Sequence, residues 1–385
     1  MARRAVPQSV IELRCLACGA LQPSDYSAST CAAPGHDDER GILDVRYDYE
    51  RAKRDWPEAG ALGLGIWRWQ ALLPVQKPLV PLLPVGDTPL VSAPRLAARL
   101  GLKELWLKDD TRNPTRSFKD RATAIAMAIA LEQRARAVAC ASAGNAAISL
   151  AGFAANAGIT CEVFVPSYAS PERLNWLERF GARVHVSTGN YDQAFAECEE
   201  GVATHGWYNR NCAYNPYLVE GKKTVSFEIG AQFGYAMPDA VICAVGDGCT
   251  LGAIGKGFRE LRAMGVAQSI PQLIGVQAER VSPLVSRQRG ERWTDDGQQT
   301  SAASIAVRKP RNAVRVLNEV RESRGVLVGV SEAAMSVAQR AYAREAGVVV
   351  ETSTAATLAG LESLCGDGQL KGARVVAVLT GGRAD

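Results

Sequence analysis

Four short stretches place chemically competent side chains where a strand-like run gives way to a helix-like one. In the first, Asn113-Pro-Thr-Arg-Ser117-Phe118-Lys119-Asp120-Arg121, a lysine opens a helical pattern directly after a Pro-containing loop. The positive end of the helix dipole disfavours a cation there, which eases loss of its proton. A neutral amine is what Schiff-base chemistry needs. In the second, Ser142-Ala143-Gly144-Asn145-Ala146, small residues and successive backbone N–H groups at a helix start suit a carboxylate. Asn145 adds an amide that both donates and accepts. The third, Gly246-Asp247-Gly248-Cys249-Thr250, is a glycine-rich turn that can cradle phosphate by its amides. The fourth ends the last apolar run with Thr380 before two glycines, a hydroxyl facing the same side as the other three turns. Each stretch alone also reads as an ordinary loop: an exposed lysine, close helix–strand packing, a plain strand-ending turn.

Taken in order, an amine, a carboxylate cradle, a phosphate cradle and a terminal hydroxyl describe a site for pyridoxal phosphate. The aldehyde falls to Lys119, the phosphate to the glycine turn and the pyridine nitrogen to the hydroxyl. The glycine turn lacks the Lys-Ser/Thr ending of a nucleotide P-loop and the full dinucleotide fingerprint, so ATP and nicotinamide cofactors are excluded. Asp247 is the awkward member, because a carboxylate beside a phosphate repels it unless it points away.

The elements that must position these turns follow from the hydrophobic period. Apolar, strand-like runs recur at 105–107, 137–141, 162–165, 184–187, 240–245, 273–277, 326–330 and 375–380. Helical spacing lies between many of them, as at 119–134, 146–156 and 332–345. Such alternation implies parallel sheets covered by helices, the α/β class, with ligands beyond the carboxyl ends of the strands. The first 50 residues differ: Cys15 and Cys18 form a C-x2-C knuckle, with Cys31 and His36 following. Three thiolates and one imidazole could complete a tetrahedral zinc site, or the knuckle could fold without metal. Residues 72–91 carry five prolines and read as an extended arm.

The chain of 385 residues has 44 Lys and Arg against 40 Asp and Glu, a net charge of +4, which gives no electrostatic footprint for nucleic acid or an anionic membrane. No apolar run approaches the roughly 20 residues a membrane span needs. The polar start lacks a signal core and the ten cysteines are scattered, so the expectation is a cytoplasmic protein. Cys140, Cys161, Cys198, Cys243 and Cys365 read as core filler, and Cys249 as part of the phosphate turn. His185 and His205 read as structural, and Trp56, Trp67 and Trp69 as packing for the N-terminal arm.

The ordered motifs give the chain a family resemblance. It resembles the fold-type II pyridoxal-phosphate enzymes, the tryptophan synthase β-subunit-like fold, and within them the threonine synthase-like branch. The likeness spans about 85–385 and rests on Gly86-Asp-Thr-Pro-Leu, on the motif ending at Arg121, on 142–145, on Asn215-Pro-Tyr-Leu-Val-Glu-Gly-Lys-Lys-Thr224, on 246–250 and on Leu379-Thr-Gly381. The Cys-bearing leader followed by Leu43-Asp-Val-Arg-Tyr-Asp48 looks like that branch too. The resemblance implies that Lys119 forms the Schiff base and moves the α-proton, Phe118 supports the ring, and Asn145 bonds the pyridoxal 3-oxygen. It implies that Ser117, Ser142, Ala143, Gly144 and Ala146 bind the substrate. Gly246, Asp247, Gly248, Cys249 and Thr250 would hold the phosphate, and Thr380 would meet the ring nitrogen.

The resemblance further implies two parallel-sheet lobes behind a small Cys-bearing module. The expected division is a module at 1–50, an arm at 51–84, a large cofactor domain from 85–131 and 232–385, and a smaller closing domain at 132–231. A homodimer acting on a small amino acid is implied as well. The implied reaction is elimination or replacement on a serine-, threonine- or phosphoserine-like substrate through an aminoacrylate. The alternative is the threonine synthase reaction on O-phosphohomoserine. Many threonine synthases carry an arginine two positions after the Asn-Pro pair, where this chain has Leu218; Cys212 and Ala213 replace polar residues before it. The family's His-Gly-Leu-Lys after the terminal Thr-Gly is shortened here to Gly381-Gly-Arg-Ala-Asp385. Loss of a bidentate arginine removes geometry as well as charge. Arg116, standing where the family usually has glycine, could compensate from another direction.

Overall fold

The structure is a computed structural model and describes residues 9–26, 29–36, 41–57, 64–76, 83–212 and 214–382. Part of the Pro-rich arm (77–82), Ala213 and the last three positions lie outside the described residues. Packing divides the chain into two units, one drawn from 1–55, 63–85 and 113–222, the other from 56–62, 86–112 and 223–385.

In the first unit, strands β1 (Val10–Cys15), β2 (Leu21–Gln22) and β3 (Leu43–Tyr47) form an antiparallel sheet in the order β2-β1-β3. Residues 51–84 are not simply extended. The helix Tyr49–Arg54 ends inside them, and two short 3-10 segments separated by a kink at Trp69 span Gly65–Leu72. Ile66, Trp69 and Leu72 are their buried residues.

The same unit contains a four-stranded, all-parallel sheet of β6 (Ala137–Ala141), β7 (Thr160–Val165), β8 (Arg183–Val186) and β9 (Tyr208–Asn209), in the order β8-β7-β6-β9. Strand β6 is buried on both faces, as a sheet covered by helices requires. The helix Lys119–Glu132 is buried almost all round, which its run of Ala, Ile and Met permits. It packs on the helices Asn145–Ala157 and Leu218–Lys222. That packing groups 113–131 with 132–222, whereas the sequence suggested 85–131 as part of the large domain.

The second unit is built on a six-stranded sheet of β4 (Leu90–Ser92), β5 (Glu104–Asp109), β10 (Ala240–Ala244), β11 (Gln272–Ala278), β12 (Val326–Val330) and β13 (Arg374–Leu379). Its order is β12-β11-β10-β13-β5-β4, and only β4, a three-residue edge strand, runs antiparallel. The core between this sheet and the helix Thr352–Gly366 is aliphatic, with Leu105, Ile242, Ile274, Leu358, Leu361 and Val375 fully or almost fully buried. The stretch read as one helix at 332–345 is an α-helix to Ala341 and then a π turn, Tyr342–Ala346, closed by Gly347 with φ 69°.

Candidate functional site

Both parallel sheets contain a point where the strand order reverses. In the first unit the chain runs from β6 outward through β7 to β8, then returns as β9 on the other side of β6. The turn 142–146 leaves β6 at that reversal. In the second unit β10, β11 and β12 run one way, while β13 lies on the opposite flank of β10. The turn 246–250 leaves β10 and Thr380 leaves β13, again at the reversal. Ligands of open α/β sheets bind at such switch points. The four turns picked out by residue type therefore include three at switch points.

Lys119 is the first residue of the helix Lys119–Glu132 and is half-buried. Its amide donates to Ser117 Oγ at 3.1 Å, and its carbonyl accepts from Arg210 at 3.3 Å and from Thr123 Oγ1 at 3.1 Å. Ser117 is fully buried, and its hydroxyl holds the first amide of the helix. Phe118 likewise exposes no surface, with the Arg121 guanidinium 5.9 Å from its ring centroid. Its ring packs inside the loop that precedes the helix.

Sequence reasoning passed over Asp120. It is fully buried, accepts from the Thr115 amide at 2.7 Å and hydroxyl at 2.5 Å, and accepts from Ser149 Oγ at 2.6 Å. One carboxylate thus ties the loop before Lys119 to the helix that begins with Asn145. The signal was present in the quoted motif as Thr115 and Asp120, five residues apart.

At the second turn Asn145, Ala143 and Ala146 are part-exposed at the start of the helix Asn145–Ala157, which has no side-chain cap. The Ser142 amide donates to Phe164 O at 3.0 Å and the Gly144 amide to Ser142 Oγ at 3.1 Å. Those two expected donors are engaged inside the protein, which leaves Ala143 and Ala146 as the amides suited to a carboxylate. Downstream, Asn215 donates to Tyr208 Oη and Asn209 O and accepts from the Tyr217 amide. Its side chain holds that turn together. Leu218 is fully buried.

In the second unit the helix Cys249–Ala263 begins without a side-chain cap or an acidic first turn. Gly248 has φ +91°, and a Cβ there would lie 2.8 Å from Val316 Cγ1 and 2.9 Å from Asn312 O, so only glycine fits. Asp247 turns its carboxylate away from the turn: Oδ1 accepts the Arg311 amide at 2.7 Å and Oδ2 accepts Asn312 Nδ2 at 2.8 Å. Its charge belongs to that anchor, and only its backbone remains for a phosphate. Cys249 is buried at the helix start and Thr250 is part-exposed.

Thr380 Oγ1 lies 3.2 Å from Thr354 Oγ1. Thr354 Oγ1 also contacts Gly381 O at 3.1 Å, to which it can donate, and the Gly381 amide at 3.0 Å, from which it accepts. Either hydroxyl can donate across the Thr354–Thr380 contact, so Thr380 can give its proton to a ring nitrogen while Thr354 donates to it. Thr354, a residue the sequence gave no reason to single out, holds that group in place. An uncapped helix start, a diverted acid and a held hydroxyl are a set that fits pyridoxal phosphate.

Comparison with known proteins decides the family. The pyridoxal-phosphate dependent enzymes match this chain over residues 82–381. The chain belongs to that family. Within these enzymes it is similar to threonine synthases: that of Methanosarcina acetivorans is 35% identical over 374 residues, covering 96% of this chain and 91% of that protein. The threonine synthase of Methanocaldococcus jannaschii is 33% identical over 377 residues, with the same two coverages. Among solved structures, the processed form of threonine deaminase isoform 2 from Solanum lycopersicum superposes with a TM-score of 0.67 at 22% identity, over 77% of this chain and 80% of that one. Maize serine racemase gives 0.66 at 21%, over 77% and 88%. These likenesses establish the fold-type II architecture.

Other expected features follow their chemistry. His185 pairs with Glu162 at 2.7 Å and stacks on Phe164, and His205 stacks on Trp207. Trp69 is buried, and Trp56 donates to Tyr235 Oη at 3.0 Å. Cys365 is half-buried at the core edge, unlike the fully enclosed Cys140, Cys161, Cys198 and Cys243. A cavity of about 580 Å³ beyond β11 and β12 is lined by Glu279, Arg280, Trp293, Asp296 and Glu332 and contains none of the expected site residues. No helix among the described residues is long and apolar enough to cross a membrane.

Proposed function

We propose that this pyridoxal-phosphate-dependent lyase eliminates or replaces a leaving group on a small L-amino acid of the serine, threonine or phosphoserine type. The bound cofactor supplies an aldehyde for the substrate amine and an electron sink that acidifies the Cα proton. In this reading Lys119 anchors the cofactor and then carries the proton, with Asp120 and Ser117 fixing its backbone. Ala143 and Ala146 offer their amides to the substrate carboxylate, and Asn145 bonds the cofactor's 3-oxygen. Residues 246–250 hold the cofactor phosphate, and Thr380 faces the ring nitrogen. The observation that favours a substrate without a distant phosphate is Leu218: it is apolar and fully buried at the position where the resemblance implies an arginine in many threonine synthases.

A second reading, threonine synthase acting on O-phosphohomoserine, is favoured by the two threonine synthases at 35% and 33% identity across 96% of the chain. Arg116 is the side chain that would serve it. It is exposed and adopts φ 60°, a left-handed conformation that ordinarily selects glycine and that a side chain occupies at a strain of about 1 kcal/mol or more. Purified holoenzyme incubated with serine, threonine, phosphoserine and O-phosphohomoserine in turn separates the two. Pyruvate, 2-oxobutyrate or a replacement product from the first three is expected. Phosphate release with threonine formation from the fourth reverses the order. We also propose a cytoplasmic protein and a homodimer, the latter implied by the resemblance; light scattering on the purified protein reads the dimer directly.

A further inference from the structure

Outside the cofactor site, the side chains of Cys15, Cys18, Cys31 and His36 converge: their four ligand atoms lie within 4.8 Å of one another. Cys18 Sγ is 3.7 Å from Cys31 Sγ and 3.5 Å from His36 Nε2, and Cys15 Sγ is 3.7 Å from His36 Nε2. A tetrahedral zinc ion with Zn–S near 2.3 Å and Zn–N near 2.0 Å demands S···S edges of about 3.8 Å and S···N edges of about 3.6 Å. These three of its six edges match that tetrahedron, and 3.7 Å is far outside the ~2 Å of a disulfide bond. Gly41 makes the convergence feasible. A Cβ there would stand 2.6 Å from Cys31 Cβ and 2.7 Å from His36 Nε2. Backbone bonds bring the two halves together: the Cys15 amide donates to Ala20 O, Leu16 to Ile42 O and Cys31 to Gly41 O. The sheet these loops join has a core of only a few side chains, among them Leu13, Leu43 and Val45, the situation in which small modules recruit a metal.

We propose that Cys15, Cys18, Cys31 and His36 hold one zinc ion per chain, as a closed structural centre that fixes the loop between Cys18 and Cys31 against the Asn215 turn. With four protein donors the tetrahedron has no open position, which makes the centre structural and not catalytic. The clasp is Tyr26 in that loop. Its hydroxyl donates to Pro74 O at 2.6 Å, and its ring meets Tyr217 edge-on at 4.9 Å between centroids. Tyr217 immediately precedes the helix Leu218–Lys222, which packs on the helix that begins with Lys119. Tyr26 itself has φ 65°, a conformation a tyrosine holds only when its surroundings impose it.

Elemental analysis of full-length holoenzyme from zinc-supplemented cells, purified without chelator, tests the site. One zinc per chain is expected, lost in Cys18→Ser and Cys31→Ser and kept in His36→Cys, since thiolate replaces imidazole in such sites. Wild-type protein without zinc, or cysteine variants that keep as much as wild type, would overturn it. Should the variants fail to fold, cobalt loaded into wild-type protein decides the matter. The intense visible bands and thiolate charge transfer of tetrahedral cobalt support the centre, and their absence refutes it. Hydrogen exchange then tests the clasp. Stripping zinc should speed exchange in 21–26 and 215–218 at least tenfold and leave β6 unchanged; equal exchange in both states refutes the coupling.

Discussion

A carboxylate beside an anion site is tolerable only when its charge is engaged elsewhere, and Asp247 shows how little the residue type reveals about that. The sequence placed it in a phosphate turn; the structure gives its oxygens to Arg311 and Asn312. Lys119 is the opposite case, since its position at a helix start was legible from the pattern alone. Exchanging Lys119 for alanine should lower kcat by at least about a hundredfold, the usual share of a positioned proton carrier, and abolish the visible absorbance of the bound cofactor. Absorbance and initial rates measured on one preparation check both. Thr354 carries a different expectation. Thr354→Val removes the acceptor of the buried Gly381 amide and leaves the Gly381 carbonyl only the Glu351 amide, so unfolding by urea should show a loss of about 1–3 kcal/mol. Thr354→Ser should restore most of it, because the hydroxyl and its three contacts return.

Among elements, the glycine turn and the strand beside it are the informative places. Gly248→Ala forces a left-handed residue against Val316 and Asn312, which should cost about 1–2 kcal/mol from the backbone alone. The helix start it opens then shifts, so pyridoxal phosphate titrated into the variant should bind at least tenfold more weakly. On the sheet, the neighbouring strands β5 and β13 are clasped by Glu104 and Arg374, which meet in two hydrogen bonds of 2.8 and 3.0 Å. The Arg374 side chain, helped by the Trp106 N–H, lowers the Glu104 carboxyl from its ordinary 4.5 to about 2. A carboxylate depressed by folding stabilises above its unfolded value and loses that contribution as pH falls through the folded one. The stability difference between wild type and Glu104→Gln should therefore be constant above pH 5 and shrink between about pH 4.5 and about pH 2, as read from thermal melts across that range. Boundaries at this scale followed local pattern closely: β6 and β12 begin and end where their apolar runs do. The short strands β4 and β9 were missed, because two or three residues carry no period, and β1, β2 and β3 lie before residue 105, where the alternating runs begin.

For the whole molecule, enclosure governs the cysteines. Burial raises the thiols of Cys161 and Cys198 to about 12 and that of Cys140 well above its ordinary value. Thiolate, the reactive form, is therefore scarce at neutral pH as well as inaccessible. Together with Cys243 and Cys249 these cysteines should label only at the rate of global unfolding, while Cys212 and Cys365 label in the native state; mass spectrometry of briefly alkylated protein distinguishes the two groups. The α/β class, the order of the turns and the places of Lys119 at a helix start and Thr380 after the last strand were set by the sequence alone, because each depends on local period and residue type. What Ser117, Phe118, Asp120, Asp247 and Thr354 do was decided only by the tertiary structure. Which partner a buried polar group finds depends on strands and helices distant along the chain, and no local pattern encodes that meeting.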